Sequence, residues 1–466
     1  MKRVIAAISL LVGCLALSAQ NIPSVDNKDY GKRPVPTQEQ IDWQQMETYA
    51  FVHFGLNTFT DQEWGYGDVP AAAFNPTRLD CKQWVRTFVE AGMKGVIITA
   101  KHHDGFCLWP SAFTDYSIAS SPYKNGRGDI LRELSDACHQ YGIKFGVYLS
   151  PWDRHQASYG TAEYLNYYHR QLEEVLTQYG DIFEIWFDGA NGGDGWYGGA
   201  NEKREIDRRT YYGFPSIYNK VKTLQPNAII FSDGGPGCRW VGNERGFAGE
   251  TNWSWLRGKD VYPGYAQYEE LPSGHEDGDQ WSATECDVSI RPGWFYHAKE
   301  DDEVKTPEQL EDIYYKSVGR NGTMLLNFPV NREGLISKTD SVNAVLFHRN
   351  IAKTFAHNLL ADAKVSVRKK ESQVLMTYST KRPITFSHLV LQEDISKGQR
   401  VRAFRVEYLN GREWTKLHFD EATSTIGYKR IVRHEAVTTR KVRIVIEDSY
   451  GSPHICFIGA YRQTAE

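Results

Sequence analysis

The chain has 466 residues, a formal charge of −4 and 13% aromatic residues. That length accommodates two or three domains, or one (β/α) barrel carrying an extra domain. The slightly acidic balance excludes nucleic acid as the expected partner, because Lys203-Arg204, Arg208-Arg209 and Lys369-Lys370 are short basic pairs that read as solvated faces.

Lys2 and Arg3 precede an apolar run from residue 4 to 17, followed by Ser18-Ala19-Gln20. This is the pattern of a secretory signal peptide over residues 1–19, and it predicts an exported, periplasmic protein. Leu11-Val12-Gly13-Cys14 also resembles a lipoprotein box, which would anchor the chain through Cys14. Apolar residues continue past Cys14 and favour ordinary cleavage after Ala19. No later segment has the length and apolarity of a membrane span. The other cysteines, at 81, 107, 138, 238, 286 and 456, form no CxxC pair and no zinc pattern, and are expected as small buried hydrophobes. No metal and no cofactor are predicted.

From about residue 38 to 350, apolar strand-like runs alternate with amphipathic helical stretches. The runs cover 49–54, 95–100, 144–149, 182–187, 228–231 and 323–327; the helical patterns cover 81–91, 129–141, 164–179, 214–224 and 307–318. Gly92, Gly142, Gly180 and Gly322 follow four of the helices, where a glycine C-cap belongs. Continuous apolar runs suit strands buried on both faces, and repeated βα units predict a (β/α)₈-like barrel over 27–355. Strands six and seven are not resolved by pattern and are expected within the Gly-, Trp- and acid-rich stretch 246–291. Past residue 355 the helical patterns vanish. Short β-rich runs at 365–367, 374–378, 384–391, 401–408, 429–432, 439–446 and 458–461 predict an all-β sandwich of jelly-roll type over 356–466. Its rings Tyr408, Trp414 and Tyr428 could contact sugar, although simple packing on the barrel is the more ordinary role.

A barrel of this kind gathers its site at the carboxyl ends of the strands. Those ends carry His53, then Lys101-His102-His103-Asp104, then Tyr148 with Trp152-Asp153, then Trp186-Phe187-Asp188, then Ser232-Asp233. A lone polar group at a strand tip is usually structural. Five successive ends bearing His, Tyr, Trp or Asp argue for function. Metal-dependent hydrolysis fits poorly, because adjacent His102 and His103 on an extended strand are expected to point apart. The cluster Gly192-Gly193-Asp194-Gly195 opens no helix and reads as a rim loop, and no Gly-x-Ser-x-Gly elbow is present.

Glycoside hydrolysis needs two carboxylates plus groups that grip hydroxyls and stack on sugar faces. Asp188 is the nucleophile candidate. His53, His102, His103 and Tyr148 are hydroxyl-gripping candidates, and Trp64, Trp186 and Trp294 are stacking candidates. The surplus of aromatic residues fits ring-presenting loops and a tyrosine-rich core equally well.

His53-Phe-Gly, Glu63-Trp64-Gly, Lys101-His102-His103-Asp104-Gly-Phe, Tyr148-Leu-Ser-Pro-Trp152 and Trp186-Phe187-Asp188-Gly189 resemble, in order along the barrel, the motifs of the retaining α-L-fucosidases of glycoside hydrolase family 29. The resemblance implies Asp188 as nucleophile, with His53, Glu63, Trp64, His102, His103, Tyr148 and Trp186 around the fucose ring. An aromatic such as Phe54 or Trp294 would face the C6 methyl. The segment Arg239-Trp240-Val-Gly-Asn-Glu244-Arg-Gly246 resembles the branch that acts on α-1,3- and α-1,4-linked fucose, which implies Glu244 as acid/base; Glu250 and Glu285 are its rivals. The expected substrate is a fucosylated oligosaccharide. The competing readings are a broader or α-1,2 linkage preference, transfucosylation, and a non-catalytic glycan-binding barrel.

Overall fold

The computed structural model describes Gly31 and residues 33–463; the expected signal peptide and Cys14 lie outside them. The described residues form two compact units that divide between Ala356 and His357. Among them, no helix is long and apolar enough to cross a membrane.

The first unit is a closed ring of eight parallel strands, each paired with its sequence neighbours and β8 returning to β1. They are β1 (Thr48–Val52), β2 (Gly95–Lys101), β3 (Lys144–Leu149), β4 (Ile182–Trp186), β5 (Ile229–Ser232), β6 (Cys238–Trp240), β7 (Ala283–Ser289) and β8 (Gly322–Asn327). Every residue of β2, β7 and β8 is buried, which is why these runs show no alternation. β6 lies just ahead of the stretch in which it was expected. Only residues 233–237 separate it from β5, so no helix punctuates the sequence there.

Helix α1 (Gln38–Gln44) precedes the barrel, and α2 (Leu56–Thr60) and α3 (Cys81–Glu90) follow β1. The other crossovers are α4 (Ile130–Tyr141), α5 (Ala162–Gln178), α6 (Phe214–Leu224) and α7 (Pro307–Lys316); α8 (Lys338–Thr354) follows β8, and no α-helix lies between β5 and β6 or between β6 and β7. The helix starts are written in the sequence. Asp80 and Asp129 accept the N–H three residues on, and Thr306 with Gln309 makes a capping box. Gly142 ends α4 in the left-handed region at φ 74°. Gly322 does not cap α7 as expected. It is the first residue of β8, and Asn321 takes the left-handed conformation at φ 65°.

Helix α1 plugs the amino-terminal mouth. Its Trp43 Nε1 donates to Glu184 Oε2 at 2.8 Å inside the barrel. Glu184 and Glu285 are fully buried and hydrogen-bonded to each other, so the pair must share a proton, and burial first raises both carboxyls, Glu184 the more strongly. Each of their four oxygens accepts one further donor. These are Trp43 and Cys238 on Glu184, and Trp186 and Tyr49 on Glu285. Among the described residues, Glu184, Cys238 and Glu285 form the one group close enough to hold a metal ion. The donors already on their oxygens explain the cluster as a hydrogen-bonded unit instead.

The second unit is antiparallel throughout, with strands β9 (Lys364–Lys370), β10 (Gln373–Glu393), β11 (Val401–Asn410), β12 (Glu413–Lys416), β13 (Arg430–Ser449) and β14 (Ile455–Tyr461). The order is β9-β10-β13-β11-β12, with β14 on the free side of β10. The runs 374–378 and 384–391 belong to one long strand, as do 429–432 and 439–446. Register shifts between Ser379 and Ile384 and between Phe386 and His388 mark where β10 is irregular. Both halves of each long strand contribute to one core, through Val374, Met376, Phe386, Leu389, Val432 and Ile444, which makes the unit an all-β sandwich. Trp414 is covered by the Arg443 guanidinium, 3.5 Å from its ring centroid, so that face is already occupied.

Glu285→Ala strands a buried carboxyl and two donors. It is expected to destabilise the barrel by about 3–5 kcal/mol, and Glu285→Gln by less, read as the urea midpoint by tryptophan fluorescence.

Candidate active site

Because all eight strands run the same way, their carboxyl ends meet at one mouth. Asp188 stands two residues beyond β4, its side chain 25% exposed. Its Oδ1 accepts the Ala190 N–H at 2.8 Å, which holds the turn. Its Oδ2 accepts the Tyr148 hydroxyl at 3.0 Å and lies 3.7 Å from His103 Nε2.

The histidines are buried and neutral, and their partners define their tautomers. Asn327, at the end of β8, spends its Nδ2 on Ser289 Oγ and Trp294 O, both at 2.9 Å. Its Oδ1 must therefore accept from His53 Nδ1, 2.8 Å away, which leaves the Nε2 lone pair of His53 available. Burial pushes His53 down to about 3, with Asn327 opposing and the neighbouring His103 adding to the fall. Ser150 donates to Trp152 O at 2.6 Å and so accepts from His103 Nδ1 at 2.8 Å. Burial lowers His103 more than the Asp188 charge raises it. Both rings thus present acceptors suited to sugar hydroxyl protons.

His102 and His103 do not point apart. β2 stops at Lys101, the chain turns with Gly105 N–H on His102 O, and the two ring centroids are 4.2 Å apart. The His102 ring lies nearly parallel to Tyr148 at 5.7 Å, and Tyr148 stacks on Trp186 at 5.3 Å. His102 Nδ1 is buried and has no hydrogen-bond partner among the described residues. Trp186 lies flat on Phe231 at 3.9 Å while Glu285 holds its indole N–H at 2.7 Å. Trp64 is 54% exposed and sets its ring edge-to-face with His103 at 5.1 Å.

Glu63 accepts the Trp294 and Phe295 N–H groups at 2.8 and 3.1 Å, and His297 Nε2 lies 2.6 Å from it. That places Trp294 5.1 Å from the His53 ring. The Trp294 side chain also hydrogen-bonds Glu244. Glu244 is exposed at the rim but flanked by protein. Partial burial comes first in raising its carboxyl pKa, the Asp188 and Glu63 charges add, and the Trp294 bond opposes them. The next residue, Arg245, bridges to Val288 on β7 and anchors this loop at the mouth.

Three of the candidate residues lie elsewhere. Phe54 is buried among Phe59, Phe74 and Trp84, behind the pocket wall. Of the rivals to Glu244, Glu285 is sealed inside the barrel. Glu250 pairs with Arg320, which precedes β8 at the opposite mouth. The insertion after Asp188 forms a small hairpin, 193–195 on 202–204. Its Trp196 stacks on His155 at 4.8 Å.

Sequence reading passed over Ser150, Ser289, Asn327, Asp287 and His297. Ser289 and Asn327 are the last residues of β7 and β8, so reading all eight strand ends would have found them. Asp287 is buried and holds Trp240 Nε1 at 2.8 Å; burial first, and then the Glu244 and Glu285 charges, raise its pKa.

The family model described as Alpha-L-fucosidase matches residues 29–345. Alpha-L-fucosidase 1 of Arabidopsis thaliana is 40% identical over 92% of this chain and 87% of its own. A glycoside hydrolase 29 family member from an unknown rumen bacterium superposes with a TM-score of 0.89 at 47% identity, covering 93% of this chain and 78% of its own. A Ruminococcus gnavus GH29 fucosidase, solved in complex with fucose, gives 0.82 at 33% identity over 95% of this chain and 99% of its own. With this barrel and these strand ends, the chain belongs to the alpha-L-fucosidases of glycoside hydrolase family 29.

Proposed function

We propose that this α-L-fucosidase is an exported enzyme that removes terminal α-1,3- or α-1,4-linked fucose by double displacement with retention. The observation that carries the mechanism is the environment of two carboxylates at one mouth. Asp188 is partly solvated and held by Tyr148 Oη and the Ala190 N–H, which suits an ionised nucleophile. Glu244 is raised by burial and by the charge of Asp188, which suits a proton donor.

Asp188 attacks the anomeric carbon while Glu244 passes its proton to the leaving oxygen, giving a covalent fucosyl-enzyme. Glu244, now ionised, takes a proton from water, which attacks the same carbon and frees Asp188. The Nε2 atoms of His53 and His103 accept sugar hydroxyl protons, and Trp64 and Trp294 shield the charge that builds on the ring. The linkage preference rests on the Gly242-Asn243-Glu244 segment. Export rests on the amino-terminal pattern.

Asp188→Ala is expected to lower kcat/KM on an aryl α-L-fucoside by about 10³–10⁵-fold. Normal turnover by that variant would remove Asp188 from the mechanism. Glu244→Ala is expected to recover with azide and yield a fucosyl azide of retained configuration. Glu244→Gln is expected to abolish the alkaline limb of the kcat/KM profile, because activity is lost as pH rises through the pKa of the acid. A Lewis-type trisaccharide is expected to be hydrolysed in preference to 2′-fucosyllactose. The reverse order would replace the proposed linkage, and cleavage of neither would favour the glycan-binding reading.

A further inference from the structure

Residues 261–271, in the long connection from β6 to β7, play no part in the chemistry above. They lie between the loops of the two proposed catalytic carboxylates. On one side, a Cβ on Gly264 would come 2.9 Å from Gly189 O and 2.5 Å from Asn191 Nδ2, and a Cβ on Gly189 would come 2.8 Å from Gly264 N. The segment therefore rests backbone-to-backbone on the turn that carries Asp188. On the other side, a Cβ on Gly242 would come 2.2 Å from Tyr268 O, two residues before Glu244.

One buried side chain seats this segment. Asp233, at the end of β5 and 6% exposed, accepts the Gly264 N–H at 2.6 Å and the Tyr265 N–H at 3.3 Å through Oδ2. The same oxygen would lie 2.4 Å from a Cβ on Gly189. Burial and the Asp188 charge push the carboxyl up to about 7 against those two N–H bonds. Its two N–H bonds hold the backbone of residues 264 and 265 against the turn that carries Asp188.

The segment carries partly or fully exposed rings. Tyr262 and Tyr265 meet edge-to-face at 5.6 Å, and Tyr268 lies 6.0 Å from Trp240. Tyr265 and Trp240 also pack on the small core of Leu256, Val261 and Leu271, which stiffens the strip. The leaving oxygen must meet Glu244, so the rest of the substrate leaves the pocket past this loop.

We propose that Asp233 is a positioning residue that seats residues 261–268 as an aromatic platform for the leaving saccharide, with Tyr265 the principal stacking ring. The proposal rests on the fucosidase reading and names the ligand of the platform as a leaving group of at least two sugar rings, whose C–H faces cover tyrosine rings.

The test compares two substrates that share the fucosyl half. α-L-Fucosyl fluoride has a leaving group too small to touch the platform, and a Lewis-type trisaccharide spans it. For Tyr265→Ala and Asp233→Ala, the ratio of kcat/KM for trisaccharide to that for fluoride is expected to fall about tenfold or more. Asp233→Asn, whose Oδ1 can accept both N–H bonds, is expected to restore most of that ratio. An unchanged ratio in Tyr265→Ala overturns the platform, and a parallel fall on both substrates overturns it too, because that is general damage to the pocket. If Asp233→Ala fails to fold, Tyr265→Ala and Asp233→Asn decide the matter. Failure of the wild-type protein on fucosyl fluoride would instead overturn the fucosidase reading.

Discussion

The hydrogen bond from Tyr148 to Asp188 joins β3 to the turn after β4 and sets one carboxylate oxygen in place. The rest of the pocket is arranged around it. Tyr148 is held from both sides by His102 and Trp186, and Trp186 is held in turn by Phe231 beneath it and by Glu285 within the barrel. A chain of contacts thus runs from Trp43 at the amino-terminal plug, through the Glu184–Glu285 pair, to the wall of the candidate active site. Buried polar groups in such a chain are tolerated because each oxygen has its donor.

Desolvation acts on the pocket residues in opposite directions by chemical type. It discharges the imidazoles of His53 and His103, making them acceptors, and it raises the carboxyls of Glu244, Asp233 and Asp287. Asp188 is the more open carboxylate, one-quarter exposed and held by two hydrogen-bond donors. One enclosed mouth can therefore hold several acidic groups of different character, and the differences come from depth and partners rather than from residue type.

Much of this is legible in the chain itself. The apolar runs of the buried parallel strands and the amphipathic helical patterns between them located most of the barrel. The groups at five strand ends pointed to the mouth. β6 was missed because three residues leave no periodic signal and no helix separates it from β5. The two long strands of the second unit looked like four, because their irregular pairing interrupts the alternation. The geometry expected of His102 and His103 assumed an extended strand, whereas the strand ends one residue earlier.

By itself, the sequence determined the alternation that closes a parallel barrel, the family motifs, and the identity of the groups at the strand ends, because these depend on local period and residue type. Only the tertiary structure decided which nitrogen of His53 or His103 is free, that Glu285 is sealed inside the barrel while Glu244 stands at its mouth, and how Asp233 reaches residues 264 and 265. These depend on burial and on partners tens to hundreds of residues away, brought together only when the ring of strands closes.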